Sequence, residues 1–212
     1  MEEINKSFLD ALLLGQRSKC EEIISELRSS NIGTIELYEK TLKESLYKIG
    51  ELWEYNKVGV AVEHMATSIV GDIMNQILPE IISKERKNKK IVISCVENEV
   101  HQVGSKMVAD IFEKNGWDTF FLGTNIPIKE LIEYCKMEKP DLIALSLTLY
   151  ANMNILKKAI IELRKITATP ILIGGFALIN TGEKLSKKFE NVLYFKQLEE
   201  IDNYIKGVHD RR

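Results

Sequence analysis

The stretch best equipped for chemistry is Glu99-Val100-His101-Gln102-Val103-Gly104. One loop can present both the carboxylate and the histidine two residues after it. The carboxylate can take the proton on one imidazole nitrogen and leave the other to donate to a metal. Gly104 permits close backbone approach where a helix begins. Three further groups could work with this pair: Ser146 with Thr148, the pair Gly174-Gly175, and Trp53 with Glu63-His64. Taken singly, each has a plainer reading. His101 fits a solvated loop and Trp53 fits a helix core at helical spacing, while His209 lies in a charged tail and reads as solvated. Their weight comes from the elements that position them.

Those elements fall into two differently patterned halves. Apolar residues at Ile4, Phe8, Ala11 and Leu12 mark a first helix, and Ile23, Ile24 and Leu27 a second. Steps of three and four through Ile35, Tyr38, Leu42, Leu46, Ile49 and Trp53 predict a third, with Thr34 as its N-cap. A fourth runs from Val60 through Ile77, where Pro79 is expected to kink or end it. Residues 1–83 therefore read as an antiparallel helical bundle. The charge run 84–90 reads as a solvated interdomain linker.

From residue 91 to 212, short β-rich runs at 91–96, 119–122, 142–147, 171–173 and 192–195 alternate with amphipathic segments. This alternation predicts an α/β domain with a five-stranded parallel sheet of flavodoxin-like (Rossmann-like) order. In such sheets ligands bind beyond the carboxyl ends of the strands, beside the switch point between strands one and three. Glu99 and His101 follow strand one, Ser146 and Thr148 close strand three, and Gly174-Gly175 ends strand four.

Composition narrows the function classes. Apolar content of 45% supports a core, and a net charge of −2 gives no general reason to expect nucleic-acid binding. The three cysteines show no metal-ligand spacing, as expected of a reducing compartment. No signal-peptide core or membrane-length apolar run is visible, so a cytoplasmic protein is the expectation.

A bundle followed by a five-stranded α/β domain with a histidine after strand one resembles the cobalamin (vitamin B12)-binding module. That module occurs in cobalamin-dependent methionine synthase, corrinoid methyl carriers and cobalamin-sensing regulators. Its pattern of Asp-x-His-x-x-Gly, then Ser-x-Leu or Ser-x-Thr, then Gly-Gly is met here by Glu99-x-His101-x-x-Gly104, Ser146-x-Thr148 and Gly174-Gly175. Glu99 stands where the methyl carriers have aspartate. The resemblance implies that His101 is the lower axial ligand of cobalt and displaces the cofactor's own benzimidazole. Ser146, Thr148 and the two glycines would then take the displaced nucleotide tail. Trp53, nine intervening residues and Glu63-His64 resemble a motif of light-sensing, adenosylcobalamin-binding transcription repressors. In those proteins the tryptophan covers the upper face and the Glu-His pair lines the same pocket. Two departures accompany this likeness: no DNA-binding domain is expected ahead of the bundle, and Glu54 stands where those repressors have a histidine.

The leading expectation is therefore a stand-alone cobalamin-binding sensor or regulatory module, with adenosylcobalamin as ligand. Its output would be self-association or binding of a regulatory partner, without direct nucleic-acid or membrane contact and without autonomous enzyme activity. The alternative is a corrinoid methyl carrier, with methylcobalamin as the loaded form. A receiver-like phosphorylation domain shares the sheet order, but Ser146 occupies the strand-three end where its acceptor aspartate belongs.

Overall fold

The computed structural model describes residues 2–209, with side chains as far as residue 207. It divides into two compact units, Met1–Ile81 and Ile82–Arg212. The side chain of His209 lies outside the described residues.

The first unit is helical. Helices α1 (Glu2–Leu13) and α2 (Arg17–Ser29) are joined through Gly15. A continuous rod follows: α3 (Thr34–Glu36), a π-helical stretch Leu37–Lys43, and α4 (Glu44–Glu54). Helix α5 spans Val60–Ile81. Phe8, Leu12, Tyr38, Leu42, Ile49 and Met74 have no exposed surface and form the core. Two details differ from the periodicity. Helix α5 carries Pro79 within its last turn and ends two residues later, at Ile81, because the proline removes a ladder hydrogen bond and cannot propagate the helix far. The expected third helix is wound loosely in its first half. There Asn5 of α1 donates to the Lys40 carbonyl (3.0 Å) and accepts from the Thr41 hydroxyl (2.8 Å). The first of these bonds gives a helix-backbone carbonyl a partner outside its own ladder.

The second unit is the expected α/β layer structure. Its strands are β1 (Lys90–Cys95), β2 (Asp118–Gly123), β3 (Leu142–Ser146), β4 (Ile171–Gly174) and β5 (Val192–Tyr194). They are all parallel, in the order β2-β1-β3-β4-β5. Helices α6 (Val103–Lys114), α7 (Ile128–Glu138), α8 (Met153–Arg164), α9 (Gly182–Ser186) and α10 (Leu198–His209) connect or follow them. Strand side chains alternate between faces. Val92, Ile143, Leu145, Ile171 and Ile173 pack with Leu131, Leu156, Ile160 and Leu185. The alternate positions Ile91, Ile93, Leu142 and Leu172 face the other layer and are buried too.

The amino-terminal edge of the sheet is held by charge. Arg86 pairs with Glu113 (2.9 Å) and Asp118 (2.9 Å), and the Lys87 amide donates to the Gly116 carbonyl (2.7 Å). Much of the basic run 84–90 thus lies along the second unit. Asp202 of α10 accepts from Asn115 (2.7 Å) and pairs with Lys114 (3.2 Å) and Lys206, tying α10 to α6. Burial pushes the Asp202 carboxyl up, but the bonds from Lys206, Asn115 and Lys114 outweigh it and hold its pKa below the ordinary value.

Two outcomes follow. Ile143→Ala, at a fully buried central-strand position, should cost about 2–5 kcal/mol by urea unfolding. A folded pKa below the unfolded one stabilises above the ordinary aspartate range and is lost as pH falls through the folded value. Asp202→Asn should therefore flatten the acid limb of a plot of urea midpoint against pH, and an unchanged limb would refute the pairing.

Candidate functional site

The loop from β1 to α6 carries the Glu99–His101 pair. At its start the Val96 amide donates to the Ser146 carbonyl of β3 (3.1 Å), and the Glu99 amide donates to the Val96 carbonyl (3.0 Å). Asn98 and Asn125 both adopt positive φ (65° and 54°), a region in which asparagine is favoured over most residues. They stitch this loop to the one after β2. The Asn98 amide donates to Asn125 Oδ1 (2.9 Å), and the Asn125 amide donates to the Glu99 carbonyl (3.0 Å). Asn152, after β3, donates from Nδ2 to the Asn98 carbonyl (3.1 Å).

Glu99 has no exposed surface, and both its oxygens are engaged. Oε1 accepts from His101 Nδ1 (2.5 Å) and from the His101 amide (3.2 Å). Oε2 accepts from the amides of Thr148 and Leu149, each at 2.9 Å. Burial alone would raise its pKa. The bonds from the His101 ring, Leu149, Thr148 and the His101 amide outweigh burial and bring it down to about 2. An ionised acceptor beside Nδ1 fixes the proton there and makes Nε2 the donor nitrogen for a metal. The His101 side chain is 33% exposed. Behind it, the Cys95 thiol donates to the His101 carbonyl (3.4 Å).

Ser146 and Gly174 are paired in register on adjacent strands, and Cys95 pairs with Ser146 on the other side. The ends of β1, β3 and β4 therefore converge. The Ser146 hydroxyl has no hydrogen-bond partner among the described residues. The two glycines differ sharply. A Cβ on Gly174 would meet nothing within 4 Å, whereas one on Gly175 would lie 2.2 Å from the Leu147 carbonyl oxygen. Gly175 also has φ 113° and ψ 166°, a region open essentially to glycine alone. Open space thus lies at Gly174, and Gly175 shapes the backbone. Gly104, in the first turn of α6, also faces open space. Val100, Leu149, Tyr150 and Phe176 are exposed on the loops at this edge.

The other predicted residues belong to the first unit. Glu63 bonds His64 Nδ1 (2.5 Å) and accepts from the Thr67 hydroxyl (2.9 Å). Trp53, at 45% exposure, is outside the bundle core. Sequence reasoning missed Leu149, Cys95 and the asparagines 98, 125 and 152. Backbone amides carry no residue signature. The Asn98 and Asn125 turn positions were the only available hint.

Known proteins agree on the class of ligand. Residues 89–192 match a family described as B12 binding domain, and residues 4–78 match a second family of the same description. The chain is 27% identical to trimethylamine corrinoid protein 1 of Methanosarcina acetivorans over 155 residues, 72% of each chain. It is 26% identical to dimethylamine corrinoid protein 3 of the same organism over 175 residues, covering 78% of this chain and 79% of the relative. Among solved structures, the monomethylamine corrinoid protein of Methanosarcina barkeri superposes with a TM-score of 0.81 at 17% identity, covering 98% of this chain and 99% of the other. A chain of the methanol:cobalamin methyltransferase complex from the same organism gives 0.54 at 16% identity, with 100% and 81% covered. These two likenesses speak to fold. No described helix is long and apolar enough to cross a membrane.

The relatives correct the leading expectation. Corrinoid proteins of methylamine systems, not light-sensing repressors, match most of this chain, so the sensor reading falls and the preference for adenosylcobalamin falls with it. The Trp53, Glu63 and His64 spacing does not select a branch, because three residues on two helices carry too little information to do so.

The two glycines provide a test of the local geometry. Gly175→Ala should cost about 2–4 kcal/mol of stability through the clash and the forbidden backbone region. Gly174→Ala should stay within about 1 kcal/mol of the parent protein. Equal losses in urea unfolding would refute the distinction.

Proposed function

We propose that this chain, which belongs to the B12-binding domain families, is a corrinoid methyl carrier that works between separate methyltransferases. The observation that carries this reading is the match to methylamine corrinoid proteins over some three-quarters of the chain. The site residues fit the cofactor. Nδ1 of His101 is held by an ionised carboxylate, which leaves Nε2 as the ring nitrogen that would donate to cobalt. The open side of Gly174 and the Ser146 hydroxyl would take the nucleotide tail. The exposed Val100, Leu149, Tyr150 and Phe176 offer apolar surface to a broad macrocycle.

A bound corrinoid would supply a cobalt centre able to carry a methyl group. The chain's part is to hold and orient. His101 would supply a nitrogen ligand to the cobalt, and Glu99 would keep the proton on Nδ1 and fix the ring plane. The asparagine-stitched loops keep the imidazole in one place. Gly104 lets the first turn of α6 approach the ligand closely. The methyl donor belongs to a small methylated amine or alcohol, presented by the partner methyltransferase.

The test is methyl loading. The protein reconstituted with cobalamin, chemically reduced and mixed with a methylamine or methanol methyltransferase and its substrate should take up methyl in proportion to cobalt. Retained cobalamin with no methyl uptake from any of these partners would refute the carrier role. His101→Ala should lose the nitrogen-ligated spectrum, and Gly174→Leu, which fills the open side, should lose cobalamin retention at least tenfold, on the order of 1.4 kcal/mol.

A further inference from the structure

We propose that Glu99 is a positioning residue whose length, beyond its charge, determines where His101 stands, because its second oxygen clamps the loop after β1 to the loop after β3. The inference rests on His101 being the cobalt ligand. Its structural half stands on the protein alone.

The carboxylate spans two separate sets of donors. Oε1 faces the ring and amide of His101, and Oε2 faces the consecutive amides of Thr148 and Leu149. Those amides lie at the exit of β3, a strand that pairs directly with β1. The Glu99 backbone is itself fixed, through its amide to Val96 and its carbonyl to Asn125. An aspartate on that backbone would be shorter by one C–C bond, about 1.5 Å. It could reach one set of donors and not the other. Left without the clamp, two N–H groups lose their acceptor, and the loop that carries Leu149 and Tyr150 keeps only the Asn152 bond to the Asn98 carbonyl as a side-chain tie to the histidine loop. The short carboxylate of the resembling carriers is therefore not interchangeable with Glu99 in this chain.

Two readouts on the full chain test this. In the cofactor-free protein, amide hydrogen exchange at Thr148 and Leu149 should rise about tenfold in Glu99→Asp, while the amides of Ile93 and Leu145 stay unchanged. Glu99→Gln, which keeps the reach and one acceptor oxygen, should hold its exchange within about threefold of the parent. Equal exchange in Glu99→Asp and the parent, or equal loss in both variants, overturns the length argument. The second readout is electron paramagnetic resonance of the protein loaded with cob(II)alamin. A nitrogen-14 ligand splits each cobalt line into three and nitrogen-15 into two. With nitrogen-15 histidine incorporated, the parent protein should give the two-line pattern, and Glu99→Asp should lose it from most of its cobalt. Retention of the two-line pattern in Glu99→Asp overturns the positioning role. A parent protein that binds cobalamin without any label-sensitive splitting refutes His101 as ligand instead, and the exchange result then still decides the clamp.

Discussion

A carboxylate with no exposed surface lies where three loops meet, and the carboxyl edge of the sheet is built to satisfy it. Removing such a charge from water costs several kcal/mol unless hydrogen bonds replace the lost hydration. Glu99 receives four, two from its own loop and two from the next strand's exit. The last two exist only because β1 and β3 are neighbours, although the whole β2 unit separates them in the chain. The sheet order is thus a condition for the site, and the charge in turn fixes the tautomer of the histidine. Fold, electrostatics and ligand chemistry meet in one side chain.

The two edges of the sheet use charge differently. At the amino edge, Arg86, Lys89 and Lys90 pair with Glu113, Asp118, Asp141 and Glu138 in partly exposed positions, where ion pairs contribute modestly and mainly fix the chain's path. At the carboxyl edge the single buried carboxylate is served by geometry that only one backbone arrangement provides. A site meant to hold an imidazole within a fraction of an ångström needs that rigidity, and here loops supply it through mutual hydrogen bonds.

Much of this was legible beforehand. Two-residue and three-to-four-residue periodicities separated the halves, and the five β-rich runs became five parallel strands in the expected order. The Glu99–His101 contact follows from a spacing of two within one loop. What the residue types could not convey was backbone chemistry. The amides of Thr148 and Leu149 are invisible in a string of side chains, and a two-glycine motif does not reveal that Gly175 shapes a turn while Gly174 faces space. The branch within the family is not legible for a related reason: the spacing of Trp53, Glu63 and His64 gives their count along the chain, whereas what a residue faces on a helix depends on winding as well as on count.

That winding leaves a mark in the first unit. The seven residues Leu37–Lys43 form wider turns than the α-helical segments on either side. Such a stretch acts as a phase shifter: everything beyond it is rotated relative to a regular helix begun at Thr34. Rewinding those seven residues at the ordinary pitch, with none removed, would turn the whole of Glu44–Glu54 by about 100° about its axis. Trp53 would swing with it, while its sequence distance to Glu63 stayed the same. The compass bearing of that indole is therefore written upstream, in the stretch Leu37–Lys43.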